Sequence, residues 1–183
     1  MKVIRSDIPG IFVIQPVVFS DDRGYFFESY QQEKYSNTIK AVNFVQDNVS
    51  RSVRNTIRGL HFQVGEYAQG KLCQVLFGRV LDVAVDLRHG SPFFGKHVSF
   101  ELSDENKNQL YISPGFAHGF CVISEVAIFS YKCTQYYNKG AERTLLHNDP
   151  DLHIDWKIEH PIVSDKDQQG TLLKNLGRYF VYA

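Results

Sequence analysis

Apolar and polar residues alternate along this chain in short runs of strand length, broken at brief intervals by glycine, aspartate and asparagine. The runs are rich in Val, Ile, Phe and Tyr and predict strands over residues 12–15, 25–29, 44–47, 57–63, 71–77, 79–87, 97–102, 110–112, 119–122 and 127–136. A turn with Asp21, Asp22 and Gly24 precedes the second of these, and Gly78 is a tight-turn signal between two others. Helix is expected only at the periphery, over 31–40 and from a start at Ser164-Asp165-Lys166-Asp167. So many short strands predict a mainly β fold, a sandwich or cupin-like jelly-roll barrel. Beyond Asp149-Pro150 the texture turns mixed and loop-rich. Residues 150–183 are therefore expected to cap the barrel within a single domain spanning 1–183.

Within the predicted strands some polar residues need a reason. In RGLHFQ, residues 58–63, alternation places Arg58, Leu60 and Phe62 on one face and His61 with Gln63 on the other. Taken alone, His61 reads as an ordinary hydrogen-bonded strand histidine. In the 79–87 run, Leu81, Val83, Val85 and Leu87 form an apolar face, opposite Val80, Asp82, Ala84 and Asp86. A carboxylate facing a barrel interior must be paired or wet, which makes Asp82 a candidate for a polar cavity. Alternation leaves equally open that this face meets solvent. Phe129, Tyr131 and Cys133 share a face, where a tyrosine is usually a core aromatic with its hydroxyl tied off. GFAHGF, residues 115–120, adds His118 between glycines suited to close backbone approach.

Composition narrows the partners. At 183 residues the chain can bury about 70% of the surface its unfolded form exposes. Twenty basic and 20 acidic side chains give a net charge of zero, which argues against a surface built for nucleic-acid backbone or an anionic membrane. A bound anion would need a local cluster. Cys73, Cys121 and Cys133 form no C-x-x-C pair and suit a reducing compartment. The opening MKVIRSDIPG lacks a signal-like apolar stretch, and no run of about 18 apolar residues occurs, so the cytoplasm is the expected location.

Taken together, RGLHFQ, the Gln69-Gly70-Lys71-Leu72 that follows, DVAVDLR at 82–88, SPFFGK at 91–96, GFAHGF and Tyr131-Lys132 resemble the dTDP-4-dehydrorhamnose 3,5-epimerase family. DRGYFFE at 22–28, FVQDN at 44–48 and SDKD at 164–167 extend the resemblance over nearly the whole chain. It implies a cupin-like jelly roll, a homodimer, and inversion of C3 and C5 of a dTDP-linked 4-keto-6-deoxysugar in rhamnose biosynthesis, with no metal and no other cofactor. Independently of the family, a cupin metal site typically offers an H-x-H pair on one strand, and here Gln63 stands where the second histidine would be.

The chemistry the resemblance implies needs a base, a group that stabilises enolate charge on the 4-keto oxygen, and an acid on the opposite face. His61 matches the family's base and Asp167 the carboxylate that supports it; a free imidazole titrates near about 6.5 and so accepts protons close to neutrality. Lys71 matches the cation beside the 4-keto oxygen, and Tyr131 the acid, which the family assigns to C5. Asp82 and His118 match supporting positions in or beside the pocket. Arg58 and, from the neighbouring subunit, Arg23 resemble the diphosphate-binding arginines, whose forked donors suit phosphate oxygens. Gln46, Asn48 and Glu28 resemble base and deoxyribose contacts, Phe26 and Tyr136 aromatic partners of the thymine ring, and Glu142 and Lys166 further binding positions.

The chain departs from the family where it has His147 and not the usual tryptophan, where Lys157 and not proline follows Trp156, and in its YFVY ending. These positions are expected to bear on subunit packing more than on chemistry. Three other functions remain to be separated from double epimerisation: single-centre epimerisation or keto-isomerisation of a related dTDP-sugar, nucleotide-sugar binding without catalysis, and metal-dependent cupin oxygenation. A binding module has no need of His61, Lys71 and Tyr131 together.

Overall fold

The alternating runs fold as strands β1 (Lys2–Arg5), β2 (Ile11–Gln15), β3 (Val18–Asp21) and β4 (Gly24–Phe27), followed by helix α1 (Gln32–Ile39). Then come β5 (Gln46–Val53), β6 (Thr56–Gln63), β7 (Lys71–Phe77), β8 (Arg79–Asp86), β9 (Arg88–His89), β10 (His97–Ser103), β11 (Gln109–Ile112), β12 (Phe116–Val122) and β13 (Val126–Cys133). The C-terminal segment holds β14 (Glu142–Thr144), β15 (Ile162–Val163), the single turn α2 (Asp165–Gln168) and β16 (Phe180–Val181). This computed structural model describes residues 1–39 and 42–182. Lys40, the last residue of the expected 31–40 helix, lies outside them.

Two sheets face each other in a cupin-like jelly roll. One runs β1-β2-β11-β7-β13-β5 and the other β10-β8-β12-β6-β14, with β15 added in parallel to β6. Side chains from both sheets, among them Leu110, Val80, Ala84, Phe120, Val122 and Phe129, form the core between them. Each large apolar side chain fully buried there stabilises the fold by roughly 1.5–3 kcal/mol. The outer faces are covered as well. Leu81, Val83, Val85, Ile57, Leu60 and Phe62 lie under Leu152, Trp156 and the rest of the C-terminal segment. Tyr35 and Ile39 of α1 cover Ile14, Leu72 and Tyr111 on the other sheet. Both faces of β8 are thus buried, and Val80, Asp82, Ala84 and Asp86 do not meet solvent.

The structure corrects the alternation read for RGLHFQ. His61 pairs with His118 and Arg58 with Phe120, so three steps along β6 match two along β12. This is a β-bulge, and the extra residue reverses which way the strand points on either side of it. Leu60 and Phe62 enter the outer cluster, whereas Arg58 turns to the same cavity as His61. Gly59 makes the bulge possible. Its φ is +127°, and a Cβ there would sit 2.6 Å from the Gly119 Cα. Other differences are in length: β5 runs on to Val53, β12 starts at Phe116, and β13 stops at Cys133, short of Tyr136.

Candidate active site

The two sheets hold a polar cavity between them. Two hollows of about 230 and 380 Å³ share Asn48, His61, Lys71 and Tyr131 as walls. The larger reaches inward to His118, Phe120 and Phe129 and outward to Arg58, Lys166 and Asp167. Gln46, Gln63, Cys133, Tyr137 and Glu142 line the smaller.

His61 projects inward from β6, and its Nε2 lies 2.5 Å from Asp167 Oδ1. The carboxylate comes from α2, which Ser164 caps by accepting from the Asp167 N–H at 3.2 Å. Asp167 Oδ2 accepts a second bond, 3.2 Å long, from the N–H of Gly59 in the bulge. Burial on its own would raise the Asp167 carboxyl. The hydrogen bond and charge of His61, the Gly59 N–H and the Lys166 ammonium outweigh it and hold the group below the usual carboxylate range.

A second imidazole–carboxylate pair lies deeper, with His118 Nε2 2.8 Å from Asp82 Oδ1. Complete burial depresses the His118 imidazole, against the opposing pull of Asp82. The ring is thus neutral and donates to Asp82, whose Oδ2 is buried without a partner. Among the described residues, Cys73, Asp82 and His118 bring potential ligand atoms within 4.8 Å of one another, a grouping from three strands that an H-x-H pattern on one strand does not reveal. The Asp82–His118 hydrogen bond accounts for two of the three, and the Lys71 ammonium acts electrostatically on both Cys73 and His118.

Tyr131 enters from β13 in the opposite sheet, with Lys71 Nζ 5.7 Å from its ring centroid. Burial first, then the neighbouring Cys133 and Cys73 and the Glu142 carboxylate push its hydroxyl up to about 12, against the opposing charge of Arg58. The phenol therefore keeps its proton across the physiological range. Arg58 is held at the rim by a 2.9 Å bond from Nε to Ser52 Oγ. Glu142 receives Lys166 Nζ at 2.7 Å on one oxygen and the Tyr137 hydroxyl at 3.0 Å on the other. Burial would raise Glu142, but these partners and His61 bring it below its ordinary value. Gln46 donates to Asn48 at 2.9 Å and accepts from the Tyr137 N–H at 2.9 Å.

Of the residues expected at the site, His61, Lys71, Tyr131, Asp167, Arg58, Gln46, Asn48, His118, Glu142 and Lys166 line the cavity, and Asp82 lies directly behind His118. Four do not reach it within one protomer. Arg23 pairs with Asp21 at 2.6 Å on the exposed β3–β4 hairpin. Phe26 is on the same hairpin, 70% exposed, and Glu28 pairs with Lys34 at 2.8 Å. Tyr136 is 61% exposed, and the adjacent Tyr137 takes the wall position, because β13 ends three residues earlier than the pattern implied. In the sequence Gln63 stands out only as the residue in place of a second metal-binding histidine. It is a buried clamp, donating to the carbonyls of Tyr67 and Tyr136 at 2.9 and 3.1 Å and accepting from the Asn138 N–H at 2.6 Å. Its place on the polar face beside His61 was the signal in the sequence. His147, one of the departures from the family, is buried.

Fold and site together define a jelly-roll isomerase. Residues 5–175 match the family model described as dTDP-4-dehydrorhamnose 3,5-epimerase. The chain is 52% identical over 172 residues to the dTDP-4-dehydrorhamnose 3,5-epimerase of Pseudomonas aeruginosa, covering 93% of this chain and 94% of that protein. It is 48% identical over 180 residues to the Escherichia coli K12 enzyme of the same name, covering 97% of each. The dTDP-6-deoxy-D-glucose-3,5-epimerase of Legionella pneumophila, solved with dTDP-4-keto-L-rhamnose, superposes with a TM-score of 0.96 at 44% identity, over 100% of this chain and 98% of that one. The chain belongs to the dTDP-4-dehydrorhamnose 3,5-epimerase family.

Proposed function

We propose that the chain inverts C3 and C5 of dTDP-4-dehydro-6-deoxy-D-glucose to give dTDP-4-dehydro-L-rhamnose. The observation that carries this reading is that His61 and Tyr131 belong to strands in opposite sheets and line one cavity. A sugar ring held between the sheets has a base on one face and an acid on the other, as inversion requires.

His61, supported by Asp167, takes the proton from the carbon next to the ketone. The bonding pair moves into the ring, and the 4-keto oxygen becomes an enolate oxygen, which the Lys71 ammonium stabilises. A proton returned from the opposite face completes inversion, and Tyr131 delivers it at C5. Proton removal at both carbons and proton return at C5 each use a side chain of this protein. Arg58 and Lys166 at the rim take the diphosphate, joined by Arg23 of a second copy in a homodimer. The exposed Val18, Phe19, Tyr25 and Phe26 of the β3–β4 hairpin support such pairing, because an isolated protomer gains nothing by presenting them to water. Three free, buried thiols suit a reducing cytoplasm.

Proton NMR of dTDP-4-dehydro-6-deoxy-D-glucose with the protein in deuterated water tests the reading. Deuterium at both C3 and C5, with the L-rhamno configuration in the product, is the expected result. Deuterium at one carbon alone would establish a single-centre epimerase, and none at either would overturn the assignment.

A further inference from the structure

Tyr137 walls the smaller hollow, yet packing does not hold it there. It is 53% exposed, and residues 134–141 form neither helix nor strand. A half-exposed ring on such a loop keeps one place when its main chain is tied down. Gln63 ties it. Its Nε2 donates to the Tyr136 carbonyl at 3.1 Å, and its Oε1 accepts from the Asn138 N–H at 2.6 Å, so one side chain bonds the main chain on both sides of Tyr137. The other Nε2 hydrogen goes to the Tyr67 carbonyl at 2.9 Å, which anchors the amide to the turn that follows β6. A glutamine head carries two donors and an acceptor, and here all three functions are used.

The main chain of Gln63 bears on the same ring. Gln63 lies opposite Glu142 in the β6–β14 register, and Glu142 accepts from the Tyr137 hydroxyl at 3.0 Å. The Tyr137 N–H donates to Gln46 Oε1 at 2.9 Å, a tie to β5. With its phenol proton committed to Glu142, Tyr137 offers the hollow an aromatic face beside the Gln46 amide. That pair suits a flat, uncharged, hydrogen-bonding group such as a nucleoside base, and gives nothing to proton transfer.

We propose that Gln63 is a positioning residue, whose side-chain amide pins the main chain on either side of Tyr137 so that the ring stands ready as a wall for the bound nucleotide. The proposal rests on the epimerase reading above. A packing role alone would ask only for length and volume, which methionine supplies. The clamp asks for the donors and the acceptor, which methionine lacks.

The test compares Gln63→Met, Tyr137→Ala and the double variant by calorimetric binding of dTDP and by turnover of dTDP-4-dehydro-6-deoxy-D-glucose. Gln63→Met is expected to weaken dTDP binding and raise KM by about tenfold with kcat within about threefold of the parent, because a loop held in place beforehand must now be ordered on binding. With Tyr137→Ala in place, Gln63→Met should weaken binding by less than about twofold more. A role confined to holding β6 and His61 would lower kcat instead, and its effect would persist in full beside Tyr137→Ala. Unchanged dTDP affinity in Gln63→Met, a loss chiefly in kcat, or full additivity would each overturn the proposal. If Gln63→Met does not fold, the parent decides: the Asn138 N–H should exchange with solvent about 10²-fold or more slowly than in an unstructured peptide, and exchange at the unstructured rate overturns the clamp. A parent that neither binds dTDP nor turns over the sugar would count against the epimerase reading and not against the clamp. The place of Tyr137 in a crystal structure of Gln63→Met then decides, or the Asn138 exchange rate where that variant does not fold: a displaced ring supports the clamp, and an unmoved 136–138 main chain overturns it.

Discussion

His61 Nε2 and Asp167 Oδ1 meet at 2.5 Å although 106 residues separate them along the chain. Because Asp167 is held below the usual carboxylate range, it is ionised near neutrality and accepts from Nε2–H, leaving Nδ1 as the basic nitrogen. Asp167→Asn keeps the shape and removes the charge that stabilises the imidazolium. Exchange of the C3 and C5 protons should fall by about 10²- to 10⁴-fold, as when a general base loses its support. Calorimetric binding of dTDP should change little. Exchange within a few-fold of the parent rate would remove the pair from the mechanism.

Acid stability should bear the mark of the same carboxylate. A pKa lowered on folding contributes stability that is fully present above the ordinary value of 3.8 and is lost as the pH falls through the lower folded value. The melting-temperature gap between the parent and Asp167→Asn should therefore be widest near neutrality and close in strongly acidic buffer. A gap independent of pH would show that Asp167 is not ionised preferentially in the folded state.

Tyr131→Phe should uncouple exchange from inversion. Proton removal through His61 continues, while inversion at C5 drops by about 10²-fold with the loss of its acid. In the parent, the hydroxyl is raised to about 12, so C5 inversion should hold through the region where an exposed tyrosine ionises, near about pH 10. Deuterium uptake set beside product stereochemistry in one NMR sample, repeated up the pH scale, measures both. Unimpaired inversion at C5 in a folded Phe variant would point to another acid.

Gly59→Ala should be severe for a residue that makes no side-chain contact. A Cβ would strike the Gly119 Cα at 2.6 Å and the His118 carbonyl at 2.8 Å, with φ at +127°. The expected cost is about 3 kcal/mol or more, combining backbone strain and overpacking. Chemical denaturation gives the stability, and Arg58 should lose its alignment with His61 along with it. A melting temperature within a degree or two of the parent would mean that the bulge yields easily.

Much of this architecture is legible in the residue pattern. The 71–77 run is a strand over its whole predicted span, and the other strand-like runs differ chiefly at their ends. Ser164 before Asp165-Lys166-Asp167 is a cap in the structure as it is in the sequence. Leu81, Val83 and Val85 share a face because a strand repeats every two residues. The motifs around His61, Lys71, Asp82, His118, Tyr131 and Asp167 indicate the family before any fold is known.

Other features depend on parts of the chain that local pattern cannot connect. Alternation says which residues of β8 share a face, but both faces are buried because the opposite sheet covers one and the C-terminal segment the other. The bulge that turns Arg58 toward His61 depends on the approach of Gly59 to Gly119 on a neighbouring strand, which the six residues of RGLHFQ do not encode by themselves. The β3–β4 hairpin leaves Arg23, Phe26 and Glu28 outside their own protomer's cavity, and the early end of β13 exchanges Tyr136 for Tyr137. The chain leaving β14 meets β6 through Leu145 and Leu60 and the segment after α2 through Leu146 and Thr171 only once these distant stretches pack together. Periodicity follows from the backbone geometry of each residue and is written locally. Burial, register and the meeting of charges follow from which distant segments pack together, and only the tertiary structure decides them.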